Sequence, residues 1–421
     1  MKEHRKESRL VRILALVMLL ACLFSAVGCD YVFGLGSLTG TSAVTDEATP
    51  GPSDETTAAS PEVTDDPNVT EDPEATGTDV PDETTQAPET TEPGPTVTYI
   101  DPLTGLRQPY DSSGVRPISL VFDNVSVAAP QSGISKMDIL IETMVEGGIS
   151  RLIGITNDYI GADGKATLDV FGPIRSTRPY MISISQAFGT LMVGAGGSPQ
   201  AYETIKNFGL QYIDGVNDRY ALQGFYRDVE RNNNDGYEHS LMTYGKGIEK
   251  LAGLNNVTLE QNTGNAFNFV EEGKSLYLSG GVANHVILKY SIYQQVQLVY
   301  SRSTGTYYRY QHGDVAHLDA ENGEQLNFKN VIILFAQTDT IEGDTEGRLD
   351  VKLTGSGDGY YISGGRYVPI RWSRTSDTDK LSITGVSGEK LTFNRGKTFI
   401  SIVNSTLKGT SSVELNYKIG N

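Results

Sequence analysis

The sequence predicts an α/β protein: an N-terminal layered α/β domain followed by an antiparallel β-rich domain. Three observations lead there. Up to about residue 250, short apolar runs alternate with helical patterns. From about Leu276, β-rich runs are punctuated by Gly, Asn and Asp, and helical periodicity is scarce. The 98 residues before both look unlike any packed domain.

The first of those residues read as an export leader. Lys2, Arg5, Lys6, Arg9 and Arg12 precede an apolar run from Ile13 to Val27, short of the ~20 residues that span a bilayer. The run ends in Ser25-Ala26-Val27-Gly28-Cys29, the small-residue approach that a lipoprotein signal peptidase accepts. The expected signal peptide is 1–28, with acyl chains on Cys29. Cys22 is the second choice, because cleavage there would leave part of the apolar run behind. Both cysteines of the chain lie in this leader, so the mature protein can hold neither a disulfide nor a cysteine-based metal site. This pattern suits an extracytoplasmic, membrane-anchored protein of a Gram-positive type envelope.

Residues 29–98 follow as a lipidated N-terminus and stalk. From Gly36 to Thr98 there is no Lys, no Arg and no aromatic residue, and the composition is Thr, Pro, Glu, Asp and Ala. Such a stretch buries too little apolar surface to offset chain entropy, so it is expected to be a disordered spacer. It also accounts for the charge. Of 52 acidic and 34 basic residues, 18 and 5 lie in 1–98, which leaves 34 against 29 and a net of −5 beyond it. A nearly balanced folded part offers no basic field for nucleic acid.

The α/β domain is expected over 99–250. Pro117–Phe122 reads as a strand that polar Asp123-Asn124 ends, and Met137–Val145 and Leu152–Ile155 as further strands. Arg178–Phe188 reads as a helix, Thr190–Val193 as a short buried strand, and Pro199–Phe208 as a helix stopped by Gly209. The join lies near Gly245–Gly273, with a short helix at Gly247–Leu254. The β-rich domain, 270–421, is read from the runs at 285–288, 295–300, 307–311, 331–335, 360–362 and 398–403, as a sandwich or barrel-like sheet.

Several runs in this folded part resemble the DUF3048 (YerB-like) lipoprotein family. They include Arg116-Pro117-Ile118, Ala129-Pro130-Gln131-Ser132-Gly133, Val145-Glu146-Gly147-Gly148, Phe171–Arg178 and Gly196-Gly197-Ser198-Pro199. The likeness continues through Thr306-Tyr307-Tyr308-Arg309, His317-Leu318-Asp319, Gly347-Arg348 and Gly396-Lys397-Thr398, and covers nearly all of 101–421. It implies an N-terminal and a C-terminal family domain. The family is one of unknown biochemical function and supplies no catalytic residue.

Four places carry chemistry of their own. Asp138, Glu142 and Glu146 recur every four residues beside Ile139, Leu140 and Ile141. They read either as an acid/base group or as buried partners of Arg151 or Arg175, with the salt bridge favoured. In Gly172–Pro179, Ser176 or Thr177 can cap a helix with Pro179 in its first turn, and Arg175 and Arg178 flank that start. This is a candidate site for phosphate or carboxylate. Val193–Pro199 is a glycine loop after a buried strand, where α/β ligands bind, so Gly197 and Ser198 are candidates too. It matches neither a nucleophile elbow nor a phosphate-binding P-loop, and a plain N-cap is the favoured role for Ser198. His239 is a candidate base or ligand-orienting donor.

His285, His312 and His317 lack zinc spacing, no cofactor motif is complete, and Trp372 reads as packing. Two functions remain. The favoured one is a binding or scaffold protein that holds an anionic or polar envelope ligand, a wall polymer or a partner protein. The alternative is a wall-polymer hydrolase or transferase using Glu142, Glu146, His239, Arg175 and Arg178. The Gly172–Pro179 turn and the Gly196–Pro199 loop are expected to open on one cleft.

Overall fold

The computed structural model describes residues 98–161, 163–405 and 412–416. Cys22, Cys29, the leader and the stalk lie outside the described residues. Among those described, no helix is long and apolar enough to cross a membrane.

The N-terminal strands are β1 (Ile118–Asp123), β2 (Ile139–Met144) and β3 (Ser150–Thr156), and every residue in them is buried. Helix α1 (Pro179–Gln186), β4 (Leu191–Gly194), α2 (Pro199–Phe208), β5 (Tyr212–Asp214) and α3 (Gly245–Leu254) follow. Helix α1 starts at Pro179 after Arg178 with no side-chain cap, so neither Ser176 nor Thr177 caps it as expected, whereas α2 follows its local chemistry at both ends. Ser198 Oγ accepts the Ala201 amide at 3.2 Å, Pro199 takes the first turn, and Gly209 ends α2 at φ 60°.

The C-terminal half contributes β6 (His285–Lys289), β7 (Gln295–Ser301), β8 (Thr306–Gln311), β9 (Asn330–Ala336), β10 (Gly355–Ser363), β11 (Arg366–Arg374), β12 (Thr398–Asn404) and β13 (Ser412–Leu415). These strands divide between two sheets. β6, β7, β8 and β13 belong to a six-stranded antiparallel sheet. β9 to β12 join the N-terminal strands in one eleven-stranded mixed sheet, whose central order is β11-β10-β9-β12-β2-β3-β1-β4-β5.

The expected class, an α/β half followed by a β-rich half, holds, and the β-rich strands divide between an antiparallel and a mixed sheet. β12 pairs in parallel with both β9 and β2, in the registers Asn330↔Thr398 and Thr398↔Ile139. The change of texture at 250–270 is not a break in the sheet. Strands buried on both faces read as near-continuous apolar runs; Val331–Leu334 is one, and Phe399–Val403 is another, broken only by Ser401. In β8, by contrast, buried and half-buried residues alternate, as in a strand covered on one face.

Two cores lie on the faces of the main sheet. Leu120, Leu140, Leu152 and Phe399 pack with Leu288, Leu298 and Tyr307 of the six-stranded sheet. Val121, Ile141, Ile153 and Ile400 pack with Tyr180, Met181 and Ile184 of α1.

Candidate functional site

Strands β1, β4 and β5 run parallel, so Asp123, Gly194 and Asp214 share one edge of the sheet. β3 is antiparallel and enters there, with Arg151 opposite both Asp123 of β1 and Thr143 of β2. Direct register neighbours share a sheet face. Asp123, Arg151 and Thr143 therefore form a row at the carboxyl ends of these strands, the usual place for ligands in α/β sheets.

The Gly172–Pro179 turn and the glycine loop meet beside that row. Thr177 and Gly197 are bridged in parallel, the Thr177 amide donates to the Gly196 carbonyl at 3.0 Å, and the Ser198 amide donates to the Thr177 carbonyl at 3.2 Å. The Ala195 amide donates to the Arg175 carbonyl at 3.0 Å, and Asp214 accepts the Gly196 amide at 2.8 Å. The two segments are thus adjacent, but these loop amides are occupied by the fold. Ser198 is 4% exposed and caps α2, the role favoured for it, and with its hydroxyl and the Gly196 and Ser198 amides so engaged it does not serve as a ligand contact.

The guanidiniums remain. Arg178 is buried and forms an ion pair with Glu146 while donating to Ser176 Oγ and the Thr177 carbonyl. Arg175 pairs with exposed Glu238 at 3.0 Å and lies 3.5 Å from Asp123 Oδ2. That same oxygen meets His239 Nδ1 at 2.6 Å. Arg151, only 5% exposed, has one hydrogen bond, from Nη1 to the Ser176 carbonyl at 2.6 Å, and no carboxylate within ion-pair distance among the described residues. Burial, then the neighbouring Arg178 and Arg175, push its pKa down to about 10. The hydroxyl of its row neighbour Thr143 is buried and has no hydrogen-bond partner among the described residues.

Glu142 does not belong to this group. It is fully buried on the opposite face of the sheet, 2.7 Å from fully buried Arg309 of β8, and accepts hydrogen bonds from Ser150, Asn124 and Gln294. Neither Arg151 nor Arg175 is its partner. Arg309 also donates to Gln311 and to His317 Nδ1. That assigns the ring proton of His317 to Nε2, which donates to Gln131 Oε1 at 2.6 Å, while Gln131 donates to the Asp123 carbonyl. Burial, with Arg309 alongside, holds the His317 pKa far below its ordinary value.

Asp138 sits just before β2, at its other end, buried near Asp101 and Asp158, with Thr156 Oγ1 3.0 Å away. The edge cluster therefore unites Glu146, Arg151, Arg175, Ser176, Arg178 and His239 and leaves Glu142 sealed. Sequence reasoning missed Asp123, whose only signal was a polar residue ending an apolar strand. Trp372 is 2% exposed and donates Nε1–H to the Phe335 carbonyl at 3.1 Å, as packing requires.

Two family models match the chain. The N-terminal domain of a protein of unknown function, DUF3048, matches residues 103–258, and its C-terminal domain matches 286–400. The chain is similar to "Putative lipoprotein YerB" of Bacillus subtilis (strain 168), 28% identical over 306 residues, which is 72% of this chain and 85% of that protein. It is also similar to the crystal structure of the YerB protein from Bacillus subtilis. The TM-score is 0.62 at 27% identity, over 75% of this chain and 99% of that one.

Proposed function

The chain belongs to the DUF3048 family, and from that premise we propose that it is a lipid-anchored envelope protein that binds an anionic ligand through Arg151, Arg175 and Arg178. The anchoring part rests on the leader ending at Cys29 and on the lipoprotein name of its relative. Acyl chains on Cys29 would hold the folded part at the extracytoplasmic face, with the acidic stalk as spacer.

One observation carries the binding part: Arg151 is almost wholly buried, yet its guanidinium has a single backbone acceptor and no carboxylate within ion-pair distance among the described residues; Glu146 acts on it only from farther off. A buried cation without a partner costs the fold several kcal/mol. An anion arriving between Arg151, Arg175 and Arg178 would remove that cost. Planar guanidiniums suit the oxygens of phosphate or carboxylate, and a wall polymer bearing phosphate has the right chemistry.

The test uses the full chain in detergent. Inorganic phosphate and pyrophosphate should raise its melting temperature by several degrees, against chloride at matched ionic strength. The absence of any such shift would remove the binding reading. For the anchor, labelled palmitate should enter the wild type and not Cys29→Ala; retained label would move the lipid to Cys22.

A further inference from the structure

We propose that this site also hydrolyses phosphate diesters, with His239 as the general base and Asp123 as its positioning residue. The inference rests on the reading that Arg151, Arg175 and Arg178 hold the anion.

Its own evidence is the second half of the cluster. Asp123 is 2% exposed and sits at the carboxyl end of β1. Its Oδ2 lies 2.6 Å from His239 Nδ1 and 3.5 Å from Arg175 Nε. An ionised carboxylate can only accept, so Nδ1 carries the proton and the Nε2 lone pair is free. Nε2 has no hydrogen-bond partner among the described residues, and the side chain keeps 20% of its surface exposed. A buried acid thus orients a histidine whose basic nitrogen reaches solvent, beside a guanidinium that shares the same carboxylate oxygen. That arrangement is more than a stabilising contact needs, and it is how a general base is held.

In the reaction, Nε2 takes one proton of a water whose oxygen bonds to phosphorus. The bond from phosphorus to the departing alcohol breaks, and the arginines stabilise the charge on the phosphoryl oxygens. The departing oxygen takes a proton from solvent and the imidazolium returns one to solvent. One water is consumed, and a monoester and an alcohol are formed. The substrate class is a diester because a diester supplies both the anion for the arginines and a leaving group.

The experiment follows nitrophenolate release from bis(p-nitrophenyl) phosphate by the full chain in detergent, alongside the phosphate-induced melting shift. The wild type should turn over. His239→Gln should lose about 100-fold or more in rate and keep the phosphate shift. Asp123→Asn should lower kcat and leave KM for the diester nearly unchanged, because the imidazole is then no longer held in its productive orientation. A phosphate shift without turnover, or turnover unchanged in His239→Gln, overturns the hydrolysis and leaves binding standing. Loss of the phosphate shift in the wild type overturns the binding reading itself.

Discussion

Arg309 and Arg151 project from neighbouring layers of the molecule and are both nearly sealed from water, yet they are treated differently. Arg309 sits between the two sheets, where its terminal amino groups reach Glu142, Gln311 and His317. Arg151 sits at the sheet edge with one backbone carbonyl as acceptor, two arginines beside it, and Glu146 near but outside ion-pair distance. A fold that can neutralise a buried arginine, as it does with Glu142, leaves Arg151 without that partner. The difference teaches where to look for ligand: at the buried charge that the protein does not satisfy, rather than at the one it does.

The largest expected effect tests the satisfied side. Arg309→Met strands Glu142 in the core and should cost about 3–5 kcal/mol, read by urea denaturation. The double variant Arg309→Met/Glu142→Leu should recover most of that loss. Equal destabilisation of single and double variants would mean that the pair does not act as a unit.

Arg178→Met should cost less, about 1.5–3 kcal/mol, because Glu146 is partly open to water and can be solvated. The same denaturation series measures it, and a cost equal to that of Arg309→Met would erase the distinction between core and edge.

A smaller effect sits at the far end of β2. Burial, with Asp101 and Asp158 nearby, holds the Asp138 pKa well above the ordinary value of 3.8. A raised folded pKa means the folded state binds the proton more tightly. The contribution of Asp138 is fullest below about pH 4 and is lost as pH rises through the folded pKa. Asp138→Asn should therefore melt a few degrees above the wild type at pH 8, and the gap should close towards pH 4. A gap that is constant with pH would contradict the burial argument. His317 works in the opposite sense, since its depressed pKa gives stability above about pH 6.5 that is lost on acidification. The comparison of Asp138→Asn with its own wild type at each pH cancels that term.

The smallest effect is expected at the exposed pair Arg371–Asp358, 3.0 Å apart on β11 and β10. Arg371→Ala should change stability by about 0–1 kcal/mol, and a larger loss would show that exposure is a poor guide to the worth of an arginine here.

Much of this was legible in the sequence at short range. Ser198, Pro199 and Gly209 mark α2 because capping and chain reversal are local chemistry, and the meeting of the 172–179 turn with the glycine loop followed from both joining apolar segments to helix starts. Partner choice was not legible. Glu142 and Arg309 are 167 residues apart, and nothing in either segment names the other. Nor could spacing reveal that β12 inserts between β2 and β9, because a strand buried on both faces carries no signal of its neighbours. The sequence also could not show that the Gly196 and Ser198 amides are taken up, because their acceptors, Asp214 and the Thr177 carbonyl, lie on segments that only the fold brings together.

The most direct measurement is the melting temperature of Arg151→Met, with and without inorganic phosphate at matched ionic strength. Arg175 is a poorer choice, since its loss also releases Asp123 and Glu238. If Arg151 awaits an anion, the variant should melt at or above the wild-type temperature without phosphate, because an unpaired buried charge has been removed, and phosphate should no longer stabilise it. A ligand-free collapse on the scale of Arg309→Met, or a phosphate shift that survives the substitution, would contradict the account.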